Sequence, residues 1–185
     1  QIWNRELDVV DRCITCHQGI DNKFLRDAPH PFRSHPVTPH KISEIGCTIC
    51  HRGQGAATTV QGAHGRLQWW EDPMLPSHYL QSSCGQCHPG ETVPEAWVLS
   101  TGRETIRKAG CIGCHKIPGF STQGPIGPDL DAIGSKVRPL WLFRWLKNPK
   151  NYLERTYMPD FLLSDADARL LTVFLLAQKA PVEDI

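Results

Sequence analysis

Long apolar runs are missing from this sequence, and no stretch approaches the roughly 18 apolar residues that a membrane span needs. The longest run, Leu170 to Ala177, is broken by Thr172 and reads as the buried face of a helix. Polybasic runs are missing too. Acidic and basic residues are interspersed around a net charge of +1, which argues against a nucleic-acid groove or a lipid-headgroup patch. Aromatic residues make up only 8% and hydrophobic residues 40% of the 185 positions, thin provision for a chain of this length that must build its own core. Gly and Pro number 15 each and favour turns over regular elements. These shortages predict a mostly α fold with extensive irregular loops, in which something other than side chains fills the middle. The chain starts at Gln1, not Met, which leaves open a removed N-terminal signal peptide, or a removed membrane anchor through which the protein would associate with a membrane.

Cysteine is absent outside one pentapeptide. All eight cysteines fall in Cys13-Ile14-Thr15-Cys16-His17, Cys47-Thr48-Ile49-Cys50-His51, Cys84-Gly85-Gln86-Cys87-His88 and Cys111-Ile112-Gly113-Cys114-His115. C-x-x-C-H is the attachment signature of c-type haem. Two thiols three positions apart reach the two vinyl groups of one porphyrin, and the adjacent imidazole turns under the ring to ligate the iron. Eight cysteines would otherwise suggest four disulfides, but disulfides leave the four histidines unexplained. Zinc ribbons do not require His after each second Cys, and a thioredoxin-like site needs one reactive pair in a βαβ setting. The expectation is four covalently bound haem c groups, held by Cys13, Cys16, Cys47, Cys50, Cys84, Cys87, Cys111 and Cys114, with His17, His51, His88 and His115 as proximal iron ligands. Thioether attachment takes place on the outer side of the energy-transducing membrane, which implies a periplasmic location. The porphyrins would supply the missing core, and their propionates would make the loaded protein net negative.

Two regions differ in texture, and we expect a boundary in Pro94–Gly102. Residues 1–98 form a trihaem domain with little regular structure, and residues 99–185 a monohaem helical domain. The latter holds one motif and no His beyond His115. Gly102 to Ala109 reads as a short helix. Pro139 to Leu146 reads as a second, with Pro suited to a first turn and Asn148-Pro149 as its stop. Ser164 with Asp167 forms a capping box that opens a third, whose apolar face is Leu170, Leu171, Phe174, Leu175 and Leu176.

From Gly102 to about Lys179 the chain resembles class I cytochrome c. The resemblance rests on a helix leading into Cys111–His115, then Gly127-Pro128-Asp129-Leu130, then Tyr157-Met158-Pro159, then a C-terminal helix. It implies that His115 and Met158 ligate haem four and that the Pro128 carbonyl orients His115. It also implies packing of a first-helix glycine, Gly102 or Gly110, against Phe174, although the usual first-helix aromatic is missing. Thioether ligation favours Fe(II), so this haem would have the highest potential.

Five histidines outside the motifs remain as distal ligands for the other three haems: His30, His35, His40, His64 and His78. Residues 8–90 resemble the trihaem part of bacterial multihaem cytochromes associated with quinol-oxidising inner-membrane redox complexes. The shared features are Asp11–Ile20, Pro31–Pro36, Gly46–Gly55, Ala63-His64, Trp70–Pro76 and Ser83–His88. That resemblance implies His35, His40 and His64 as the distal set. The pattern expects histidines where Gln68-Trp69-Trp70 stand, which leaves His78 open as a substitute, with His30 a further one. Met74, between Pro73 and Leu75, suits packing. Arg12 and Arg52, beside motifs, are candidates to pair with propionates.

The reading that follows is a non-enzymatic electron-transfer protein of a respiratory chain. It would be periplasmic, on the outer face of the cytoplasmic membrane, and would take electrons from a quinol-oxidising membrane complex or dehydrogenase. It would pass them to a soluble cytochrome or terminal acceptor. The alternative is a multihaem reductase with one open iron; a haem-based sensor lacks any output domain.

Overall fold

The computed structural model describes residues 1–121 and 126–180. The chain is mostly helical with long loops and one two-stranded sheet. In order it contains β1 (Ile2–Asn4), β2 (Val9–Asp11), α1 (Ile42–Ile45), α2 (Thr48–His51), α3 (Val60–Ala63), α4 (Trp97–Lys108), α5 (Ile133–Lys136), α6 (Pro139–Lys147) and α7 (Asp165–Leu176). Short 3-10 turns occur at Cys13–Thr15, Lys23–Leu25, Cys111–Gly113 and Pro149–Asn151, with a longer 3-10 stretch at Ser77–Gln86. Among the described residues, no helix is long and apolar enough to cross a membrane.

The chain divides into two compact units, Gln1–Pro76 and Ser77–Ile185. The division falls earlier than the expected boundary at 98/99, so that the third motif lies in the second unit and each unit holds two motifs. The cause lies in the packing of the 77–86 stretch on α7. A Cβ on Gly85 would come within 2.5 Å of the Ala177 Cβ, so only glycine permits that approach.

The first unit is built on loops. Its ribbon pairs Ile2 with Asp11 and Asn4 with Val9, antiparallel, and buries Ile2 and Asp11 on one face. The loop from Gly19 to His35 is closed by backbone bonds from Ser34 N to Leu25 O and from His35 N to Ile20 O, 3.1 and 3.0 Å.

The second unit has a side-chain core. α7 is buried on every side from Leu171 to Ala177, and Ser164 caps it by accepting the Asp167 N–H at 3.0 Å. α4 packs on α7 through Gly102, where a Cβ would sit 2.2 Å from the Leu170 carbonyl oxygen and 2.9 Å from the Phe174 Cβ. Gly110 instead takes the left-handed position after α4 (φ 76°), a common helix stop. α4 starts at Trp97, five residues earlier than the sequence pattern suggests. Its cap, Ala96, has no side-chain acceptor, and Gln81 Oε1 takes over by accepting the N–H groups of Val98 (2.7 Å) and Leu99 (3.3 Å).

Candidate cofactor sites

The four motifs share one local geometry. In each, the His N–H donates to the carbonyl of the first Cys, at 2.9 Å for His17, His51 and His115 and 3.0 Å for His88. The resulting single turn brings the two thiols, at positions i and i+3, to the same side. All eight cysteines are free thiols.

In the first unit both motif imidazoles face other imidazoles. His51 lies 5.9 Å from His35 between ring centres, with the planes 86° apart. His17 lies 6.3 Å from His30 and 6.4 Å from His64. Two imidazoles on opposite sides of one metal ion, each bonded at about 2.0 Å, have ring centres roughly 6 Å apart. The spacing is that of an edge-to-face ring contact and also fits a shared ion. His35 Nδ1–H donates to the Pro36 carbonyl at 2.7 Å, which leaves Nε2 as the donor atom for a metal. His64 ends α3 and is tied down by its N–H to the Val60 carbonyl (3.0 Å) and by the Met74 N–H on its own carbonyl (3.1 Å). Burial, then His64 and His30, lower the pKa of His17. Burial, then His35 and His17, lower that of His51. Neutral imidazole is the form that metals bind.

The other expected ligands are placed as follows. His40 lies on a cavity of about 310 Å³ lined also by His35, Ile20 and Thr38. His78 is in the second unit, its ring 4.2 Å from that of Tyr79. In the same unit His88 Nδ1 lies 3.1 Å from Glu91 Oε2. His30, a substitute in the sequence pattern, stands as close to His17 as His64 does.

Motif four has the most complete surroundings. His115 Nδ1–H donates to the Pro128 carbonyl at 2.8 Å, the partner that the class I resemblance implies. Gly127 lies flat on the imidazole, where a Cβ would be 2.5 Å from Cε1. Met158 is half-buried in the same unit. Its Sδ accepts the Trp145 indole N–H at 3.0 Å, and Trp145 stacks on Trp141 with centres 5.4 Å apart and planes 17° apart.

Two polar features bear on whether a haem fits. The Arg52 side chain is only 10% exposed and reaches Asp72 at 3.4 Å through Nη1, while its Nε and Nη2 are buried without a hydrogen-bond partner. Buried guanidinium N–H groups need an acceptor, and a propionate beside His51 is of the right chemistry. Arg12, by contrast, is engaged by Gln1 Oε1 (3.1 Å) and the Ala56 carbonyl (3.3 Å). Apolar surface also awaits cover: Phe24, Trp69, Tyr157 and Leu162 are 86–99% exposed, more than side chains of this size normally are. The residues fit the group that the motifs call for.

Sequence reasoning overlooked Asp11. It is fully buried, and its Oδ1 accepts the Cys13 N–H at 2.9 Å. Its Oδ2 accepts the N–H groups of Cys47 (2.7 Å) and Thr48 (2.8 Å) and the Thr48 hydroxyl (3.2 Å). Burial alone would raise its carboxyl, but donors from Thr48, Cys13 and Cys47 hold it below the ordinary carboxylate value. Ligand atoms of Asp11, Cys13 and Cys47 all lie within 4.8 Å of one another. A structural zinc ion commonly takes both cysteines of a C-x-x-C pair; this cluster takes one from each of two pairs and leaves Cys16 and Cys50 out. The sequence signal was an acid two residues before a motif, a spacing suited to side-chain capping of a turn.

Comparison with protein-family models, curated proteins and solved structures found no match.

Proposed function

We propose that this chain is a c-type cytochrome that binds four haems covalently and moves electrons, without substrate chemistry of its own. The observation that carries the reading is the placement of every cysteine in a C-x-x-C-H turn, two of whose histidines face a second imidazole at 5.9–6.4 Å. The bound group supplies reversible one-electron chemistry at iron. The chain's part is to choose ligands, to orient them and to exclude water. His51 and His35 would hold the second haem, and His17 with either His64 or His30 the first. His88 would hold the third, with His78 as the candidate distal ligand in the same unit. His115 and Met158 would hold the fourth, within a class I cytochrome c-like arrangement of α4, α6 and α7. The Pro128 carbonyl fixes the tautomer of His115, and Arg52 offers its two unpartnered N–H groups to a propionate.

Bis-His sites lie at lower potential than a His/Met site. Electrons therefore enter at the His-rich sites, from a quinol-oxidising membrane complex or a dehydrogenase, and leave from the Met158 site to a soluble cytochrome or terminal acceptor. The location that suits attachment is the periplasm, at the outer face of the cytoplasmic membrane.

The test is to express the chain with and without a haem-attachment system, weigh it, and titrate it spectroelectrochemically with and without carbon monoxide. Four added haems, four low-spin couples and no ready carbon monoxide uptake are expected. A mass without haem would end the reading. A high-spin haem that takes carbon monoxide at once would replace it with the multihaem reductase.

A further inference from the structure

The structure assigns to Asp11 a positioning role between the first two haem sites. We infer that its buried carboxylate locks those sites together and holds both at low potential as one interacting pair. The inference rests on the proposed function.

The geometry is that of a clamp. Asp11 ends β2 and receives N–H groups from the first turns of two motifs separated by over thirty residues in sequence. One carboxylate oxygen holds motif one and the other holds motif two, so neither turn can shift without breaking a charge-assisted bond. A second tie runs alongside, from Arg12 N–H to the Gly55 carbonyl at 2.8 Å. Glycines permit the approach from the motif-two side. Gly46, at φ 80°, would place a Cβ 3.1 Å from Asp11 Oδ2, and Gly55 would place one 2.5 Å from the Val10 carbonyl oxygen. The Cys13 and Cys47 sulfurs consequently lie side by side within 4.8 Å. These are the atoms through which the two porphyrin edges would be bonded.

The electrostatic consequence follows from burial. Backbone N–H groups and one hydroxyl satisfy the carboxylate, and among the described residues no cation forms an ion pair with it, so its charge is hydrogen-bonded but not neutralised. A fixed negative charge in a water-poor setting favours the more positive oxidation state of a nearby iron. Both sites share it, so both potentials fall. An electron passing between the two oxidises one iron and reduces the other, with no bond made or broken.

The experiment uses the holoprotein and Asp11→Asn, with haem content checked by mass. The variant keeps the shape of the side chain and removes its charge. The two lowest-potential haems should gain about tenfold in reduced-to-oxidised ratio at fixed poise, about 59 mV by the one-electron relation, while the other two move less than about twofold. Unchanged potentials, or a shift shared evenly by all four haems, would overturn the inference and leave the proposed function standing. Wild-type protein provides a measurement that does not depend on the variant folding. In the fully oxidised state, electron paramagnetic resonance should show magnetic interaction between two haems, lost when Cys13 and Cys16 are both replaced by Ser. Interaction that survives that replacement would count against the pair. Wild-type protein without covalent haem would defeat the underlying reading instead.

Discussion

The two units present the same C-x-x-C-H turn on different foundations. Of the sixteen buried hydrophobic residues among the described positions, only Ile2 and Leu75 lie in the first unit, and the rest lie in the second. The second unit packs α4, α5 and α6 against α7 and would keep a core whatever its cysteines carry. The first unit holds its shape with loop-closing hydrogen bonds, one buried carboxylate and histidines that face one another with ring centres 5.9–6.4 Å apart. A small domain can hand the task of a core to a bound group, and the residues that then matter are polar. In the first unit these are Asp11, His17, His35, His51 and Arg52. In the second unit they are apolar apart from Thr172, from Leu171 to Ala177.

The sharpest way to break this comparison is to withhold the cofactor. Chain made without haem attachment should lose amide protection throughout 1–76, while α4 and α7 keep measurable protection in hydrogen exchange. Equal loss in both units would refute the contrast. Next in size, Gly102→Val drives a branched side chain into the Leu170 carbonyl and should destabilise the second unit by about 3 kcal/mol, read as a fall in its denaturation midpoint with the first unit unchanged. Met158→Ala removes the proposed thioether ligand. The highest-potential couple should then lose about two decades in its reduced-to-oxidised ratio, about 120 mV, and an unmoved couple would take Met158 off the iron. A smaller effect concerns pH. The Asp11 carboxyl titrates below its ordinary 3.8 in the folded chain. Its contribution is therefore complete above that value and lost as pH falls through the lower folded value. Acid should loosen the first unit, and the Asp11→Asn variant should show a flatter acid limb. Smallest is Trp145→Phe, which deletes the indole N–H on Met158 Sδ. With one weak hydrogen bond gone, the same couple should drop about threefold, about 28 mV, with Met ligation kept in the visible spectrum.

How far the sequence foretold these contrasts depends on whether the signal was local. α6 and α7 were legible because Pro139 and Ser164 are chemical start signals and the apolar spacing between them and their ends is helical. The start of α4 was hidden because its cap comes from Gln81, a residue far back in the chain. β1 and β2 are three residues each, too short for alternation to show. The motif histidines were legible by spacing alone. The nearness of His30 to His17 was not, since it depends on how the 19–35 loop closes through Ile20 and Leu25. The division at Pro76 was not legible for a similar reason: texture changes near residue 98, but Gly85 already rests on Ala177.

That division has a consequence for how such a chain could be rearranged. Scission between Pro76 and Ser77 severs one peptide bond and no attachment motif. Each piece would leave with two complete C-x-x-C-H turns, so gene duplication, swapping or fusion at this joint would trade whole pairs of the proposed redox centres and never an odd one.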